Sequence, residues 1–291
     1  MMIGSLMMLR LNHILVILQM MTSTFIKLST AEPILGNTVE KVTQNDYPFV
    51  VSFFGYDREP MIEKRHFCGG TLISGKHVLT AGHCILSENL MKQAEVQAGS
   101  HKLKPRSKLQ IFKPISWLKY EDRRKEENEL SDLPYHDIAV VKLNVDDTGI
   151  APAVFIPLRE SQDTEVKTVT LVGWGRTNDK VIPSNLRRAS LQPTLKADCV
   201  KKAQRIAMGY DWNRVKGDHV LCFTASPCVH GMPGDSGSPY LDEQGRLAGV
   251  HSGRCPPLRR FDPLQFNVGM SINFYRCFID HAKNFLEDKA Y

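Results

Sequence analysis

Apolar residues gather along this chain in short runs punctuated by Gly, Pro and Asp, and few of them repeat with a helical period. The runs Pro48–Phe54, Thr71–Ile73, His77–Thr80, Ile138–Leu143, Thr168–Val172, Leu247–His251 and Val268–Ile272 read as β-strands, rich in β-branched and aromatic residues and bounded by turn formers. Strands this short and this frequent predict an all-β barrel or sandwich assembly. Near the end, Phe278, Ala282, Phe285 and Leu286 recur at helical intervals and predict a closing helix. The charged stretch from Glu121 to Asp132 breaks the pattern and is expected to be an irregular, solvated segment.

The beginning of the chain follows a different rule. Arg10 precedes an apolar run from Ile14 to Met21, too short to span a bilayer and suited to a secretory signal. Ser29-Thr30-Ala31 offers the small residues that a signal peptidase reads, with a cut nearer Ser23 as the alternative. No second hydrophobic segment of spanning length follows, so a soluble, secreted, extracellular protein is expected, with no membrane association once the signal is removed. No Asn-x-Ser/Thr sequon occurs, so N-glycosylation is not expected.

Composition adds mainly exclusions. The 291 residues give ample length for a buried core. The net charge of +6 is spread over interspersed acids and bases, with no long basic tract, so no nucleic-acid partner is expected. No Cys-x-x-Cys or His-Glu-x-x-His spacing occurs, so neither a metal nor a cofactor is implied. Seven cysteines in an exported chain suggest three bridges and one thiol left over.

Three motifs carry chemistry. Gly234-Asp235-Ser236-Gly237-Ser238-Pro239 turns tightly around a hydroxyl, Thr80-Ala81-Gly82-His83-Cys84 supplies a base, and His136-Asp137 leads an acid into an apolar run. A serine hydroxyl is too weak an acid to attack an amide unaided, and an imidazole that takes its proton makes it a nucleophile. The order His83, Asp137, Ser236, together with Leu171-Val172-Gly173-Trp174-Gly175 and Phe67-Cys68-Gly69-Gly70-Thr71-Leu72-Ile73, resembles the trypsin- and chymotrypsin-like serine endopeptidases from Ile34 to about Ile279.

That resemblance implies two packed six-stranded antiparallel β-barrels, the first over residues 34–155 and the second over 156–275, with a C-terminal helix at 275–288. Residues 1–33 would be signal peptide plus a very short propeptide. It implies His83 as general base, Asp137 as the group that fixes and stabilises the imidazole, Ser236 as nucleophile, and the backbone N–H groups of Gly234 and Ser236 as the oxyanion hole. Ser238 replaces a glycine usual in the motif, which would strain the turn if that position required positive φ. The implied disulfides are Cys68 with Cys84, Cys199 with Cys222, and Cys228 with Cys255. Cys277 is left over and is read as an inert buried thiol, with an intermolecular disulfide as the alternative.

The resemblance also implies a zymogen whose freed Ile34 ammonium pairs with Asp235. Pro33 precedes Ile34, so a tryptic activator cannot make the cut. If signal cleavage follows Ala31, the remaining Glu32-Pro33 suits a proline-specific aminodipeptidase as activator. At the pocket floor, His230 or Ser226 takes the place of the tryptic acid, depending on the register counted. Neither is Asp or Glu, so cleavage after Lys or Arg is not expected. His251 is placed to bind a substrate carboxylate or else merely fills a strand. Ser252 faces the Asp–His pair, Gly253 lies near the strand that pairs with substrate, and Asn267 narrows the pocket wall. An acidic or a small to medium uncharged residue is expected at the cleaved position. The expected partners are polypeptide substrates, protein inhibitors and the activating peptidase, with the protein a monomer. A protease-fold binding protein without turnover is the alternative function, and a fluorophosphonate probe separates the two.

Overall fold

The structure, a computed structural model, describes residues 39–56, 64–103, 110–126, 136–145, 158, 166–177, 181–195, 197–198, 218–224, 229–255 and 266–288. Short strands dominate it. A small β1 (Glu40–Lys41) is followed by β2 (Val50–Gly55), β3 (Arg65–Leu72), β4 (His77–Thr80), β5 (Glu95–Ala98), β6 (Gln110–Lys119) and β7 (Ala139–Asn144). The last six close into an antiparallel barrel in the order β2-β3-β4-β7-β6-β5. β2 and β4 are buried at every position, including the polar Ser52, His77 and Thr80.

The second barrel contains β8 (Val169–Gly173), β9 (Arg187–Pro193), β10 (Val220–Thr224), β11 (Pro239–Leu241), β12 (Leu247–Cys255) and β13 (Phe266–Ser271). Its order is β9-β10-β13-β12-β11-β8, and the pairing of β8 with β9 closes it, with β1 added outside β9. The fold is thus two closed six-stranded antiparallel barrels and a C-terminal helix.

Several strands escape a reading of hydrophobic runs. In β9 only Ala189 and Leu191 are buried between exposed polar neighbours, so its inward face is too sparse to form a run. In β6, Pro114 stands at a register shift against β7, where a strand tolerates a residue that cannot donate. The charged segment also differs from expectation: Tyr120–Glu126 is a helix, built from good helix formers and aided by a Lys119–Asp122 contact of 3.5 Å. A second short helix, Glu88–Gln93, carries the Glu88–Lys92 ion pair.

The C-terminal helix, Ile272–Glu287, buries Ile272, Tyr275, Phe278, Ile279, Ala282 and Leu286 along one stripe. It begins at Ile272, three residues before the start at 275 that the resemblance implied, directly after β13. Its end is held by the first barrel: Lys142 of β7 donates to the carbonyls of Leu286 (2.7 Å) and Glu287 (3.1 Å), and Lys76 pairs with Glu287 at 2.6 Å. Cations at the carbonyl end of a helix offset both its orphan acceptors and its dipole.

Cys68 and Cys84 form a disulfide, with Cα atoms 6.1 Å apart. Cys222 is also disulfide-bonded. The partners expected at Cys199 and Cys228 fall outside the described residues, and so does the Cys228–Cys255 bridge. Cys277 is free, and it is exposed on the helix rather than buried, because its position faces away from the apolar stripe.

Candidate active site

The two barrels bring His83, Asp137 and the Ser236 turn to one region. His83 lies in a 3-10 turn, Gly82–Cys84, that leaves β4 and is tied to β3 by the Cys68–Cys84 bridge. Asp137 stands two residues before β7, which pairs with β4. Its carboxylate accepts from the His83 backbone N–H (2.7 Å) and from His83 Nδ1 (2.8 Å), and the Ser252 hydroxyl of β12 donates to the same oxygen as Nδ1.

These contacts set the protonation states. Burial opposes the charged imidazolium of His83, but the hydrogen bond and charge of Asp137 outweigh it and raise the His83 pKa. Burial likewise opposes ionisation of Asp137, and its bonds to His83 and Ser252 outweigh that and hold the carboxyl below its ordinary range. With Nδ1–H given to Asp137, Nε2 of the neutral ring is a base facing outward.

Ser236 sits in a turn pinned from both barrels. Gly69 N–H of β3 donates to the Ser236 carbonyl and Gly237 N–H donates to the His251 carbonyl of β12, each at 2.7 Å. Gly234 and Gly237 adopt φ of 102° and 82°, the left-handed region that glycine enters without strain. Ser238 is fully buried, and its hydroxyl fills space left by the absent side chains of Gly69 and Gly173. Neither Gly234 nor Ser236 spends its N–H on a backbone acceptor among the described residues. No hydrogen bond joins the Ser236 hydroxyl to His83 there, and such contacts commonly tighten only with substrate in place.

Asp235 is buried beneath this turn. Gly175 N–H donates to one of its oxygens at 2.7 Å and Met232 N–H to the other at 2.8 Å, yet burial dominates and pushes its carboxyl up to about 7. A Cβ on Gly173 or Gly175 would overlap the carboxylate, so the Gly-Trp-Gly motif is the hollow into which Asp235 fits. Ile34 lies outside the described residues.

A neighbouring histidine had no visible role in the sequence. His66 Nε2 donates to the Gly234 carbonyl (2.9 Å), and the Ser52 hydroxyl donates to His66 Nδ1 (2.6 Å). Burial lowers the His66 pKa to about 4, so the ring stays neutral and clamps the turn. His66 and Gly234 are 168 residues apart, and only the flanking Phe67-Cys68 hinted that this stretch approaches the site.

The expected pocket residues divide. Ser252 engages Asp137, and Gly253 opens onto free space. Asn267 is buried and fully engaged, accepting from Gly231 N–H (2.7 Å) and donating to the Val229 carbonyl (3.0 Å), so it braces one wall against the other. His251 is buried, 2.6 Å from the Tyr240 hydroxyl through Nδ1, with its Nε2 edge packed on Gly231. Burial lowers the pKa of His230 to about 4 and of His251 to about 3, and the charge of Arg254 pushes both the same way. Arg254 itself was not anticipated. Ser226 lies outside the described residues.

Beside the dyad is a hollow of about 340 Å³, lined by Gly82, His83, Ile85, Lys119, Glu121, His136, Asp137 and Ser252. Behind it, His136 stacks between Tyr120 (4.8 Å) and His219 (4.6 Å) and bonds to the Tyr275 hydroxyl at 2.7 Å. The one cluster of potential metal ligands among the described residues joins His83 to Cys68 and Cys84, whose sulfurs are bonded to each other and cannot act as thiolates.

Paired six-stranded barrels that bring an Asp–His dyad to a tightly turned serine define a chymotrypsin-like serine peptidase. The Trypsin family profile matches residues 37–260, and the chain belongs to that family as a serine-type endopeptidase. Trypsin iota of Drosophila melanogaster is 30% identical over 193 residues, covering 66% of this chain and 69% of that protein. Granzyme-like protein 2 of Rattus norvegicus is 27% identical, covering 61% of this chain and 64% of its own length. Brachyurin of Leptuca pugilator is 29% identical over 72% of this chain and 81% of its own. The solved structure of neuropsin, a serine protease of mouse brain, superposes with a TM-score of 0.63 at 20% identity, covering 84% of this chain and 97% of that one. At that identity the last similarity speaks for the fold.

Proposed function

We propose that this chain is a secreted endopeptidase that cleaves polypeptides through an acyl-enzyme, with Ser236 as nucleophile, His83 as general base and then acid, and Asp137 as the group that holds the imidazole. The observation that carries this reading is the Asp137 carboxylate, gripped by both His83 contacts and by Ser252. As Ser236 Oγ attacks the carbonyl carbon, its proton passes to His83 Nε2, and Asp137 stabilises the imidazolium. The same proton then goes to the leaving amine. The N–H groups of Gly234 and Ser236 receive the developing oxyanion, a contribution of about 3–4 kcal/mol per donor in comparable sites.

Cleavage after Lys or Arg is disfavoured, since His230, His251 and Arg254 supply basic groups and no acid to the pocket region. Export is read from the apolar run of the leader, Ile14 to Met21. Activation follows removal of Glu32-Pro33 by an aminodipeptidase, and the freed Ile34 ammonium pairs with Asp235, whose buried carboxylate needs such a counter-charge to ionise. The mature protein acts as a monomer, open to protein inhibitors. The test is peptide hydrolysis by the secreted protein before and after trimming to Ile34. Turnover that appears only on trimming and vanishes in Ser236→Ala and His83→Ala supports the reading, and turnover retained in either variant contradicts it.

A further inference from the structure

We propose that Arg254 is a specificity-determining residue that receives the carboxylate of an acidic side chain, Asp or Glu, immediately before the cleaved bond. The inference deepens the peptidase reading and rests on it.

Arg254 is half-buried on β12, opposite Asn267 in the register with β13. Its only hydrogen bond among the described residues goes from Nη1 to the Met232 thioether at 3.4 Å, a weak acceptor, and no carboxylate lies within ion-pair distance. Arg188, Arg246 and Arg276 each have a carboxylate, at 2.7, 2.9 and 3.6 Å. A partly desolvated guanidinium with five donors and one poor acceptor is an unfilled site for a planar anion. Burial works against its charge, and nothing nearby compensates.

The surroundings narrow the ligand. The charge of Arg254 reaches both His230 and His251, so three basic side chains share one region. Two of them are neutral imidazoles that add no charge. The Tyr240 hydroxyl is buried, and among the described residues its one partner is His251 Nδ1, so the phenol donates to that nitrogen and the ring proton sits on Nε2, at the Gly231 wall. Asn267 has committed both ends of its amide, which removes it as a recognising group. What remains is the Arg254 cation beside the His251 N–H, a set that matches a carboxylate and repels a lysine or arginine side chain.

The test uses the secreted protein trimmed to Ile34, with peptides that differ only in having Glu, Asp, Gln, Leu or Lys before the scissile bond. Labelling of Ser236 by a fluorophosphonate is followed in the same samples. The expected result is a preference for Glu or Asp over Gln of at least tenfold in kcat/KM, lost in Arg254→Gln and partly kept in Arg254→Lys, with Ser236 labelling in each protein showing that it is folded and active. An acidic preference unchanged in Arg254→Gln overturns the proposal, as does a labelled wild-type enzyme indifferent to the acidic group. A folded wild-type chain that fails to label overturns the peptidase reading and the proposal with it.

Discussion

The Ser252 hydroxyl donates to the carboxylate of Asp137, and the two residues belong to different barrels. The base-and-acid pair of the first barrel is therefore oriented partly by a strand of the second, the same strand whose His251 carbonyl holds Gly237 of the serine turn. Ser252→Ala should remove one donor from a charged acceptor, an interaction of about 1.5 kcal/mol or more. The expected outcome is a fall of roughly tenfold in kcat with little change in KM. Steady-state kinetics on the trimmed enzyme check it.

The acid limb of the pH profile follows from His83. Its folded pKa is raised, so the charged ring persists to a pH above the ordinary histidine value of about 6.5, and kcat/KM should rise with pH only through that higher midpoint. Stability runs the other way: the contribution of the charged His83–Asp137 pair is fully present below the unfolded pKa and lost as pH rises through the folded one. Asp137→Asn should lower the midpoint of the limb and depress kcat on the order of 10⁴-fold, because the imidazole loses its tautomer. Rate profiles of the two proteins decide it.

Asp235 gives the unprocessed chain a different pH dependence. Burial raises its folded pKa to about 7, so its stability contribution is complete below the unfolded carboxyl pKa and lost as pH rises through about 7. Asp235→Asn, which stays neutral, should remove that loss. Thermal unfolding of the precursor at about pH 5 and about pH 8 should show a smaller drop in Tm for the variant than for the wild type. Equal drops would mean that the carboxyl does not titrate in this window.

Gly69 and Ser238 form a close-packed pair. A Cβ on Gly69 would overlap the Ser238 hydroxyl and stand 3.2 Å from its backbone nitrogen. Gly69→Ala should cost about 1–3 kcal/mol, the usual range for overpacking a tight site. Adding Ser238→Gly should restore part of it, since the hydroxyl yields and the backbone does not. A double-mutant cycle on Tm or denaturant midpoint measures the coupling.

Legibility in the sequence tracked how local each feature is. The strand His77–Thr80 was readable to the residue, because Val78, Leu79 and Thr80 are apolar or β-branched and the run lies between turn residues. Arg187–Pro193 was not, since a strand with two buried side chains leaves too faint an alternation. The stretch from Glu121 to Asp132 reads as a solvated segment because its charge masks the helix propensity that Tyr120–Glu126 expresses. At the site, the resemblance named His83, Asp137 and Ser236, whereas the groups that support them come from strands far away in sequence. His66 and Ser52 beneath Gly234, Tyr240 behind His251 and the unfilled guanidinium of Arg254 are relationships of packing, and no local pattern encodes them.

In the proposed mechanism Ser236 is a nucleophile made reactive by the His83–Asp137 pair. Reaction of the trimmed protein with a fluorophosphonate, followed by mass mapping of the adduct, tests it most directly. The expected result is one adduct per chain, on Ser236, absent in Ser236→Ala and slowed by orders of magnitude in His83→Ala. No adduct on the folded, trimmed protein, or an adduct on another residue, would contradict it.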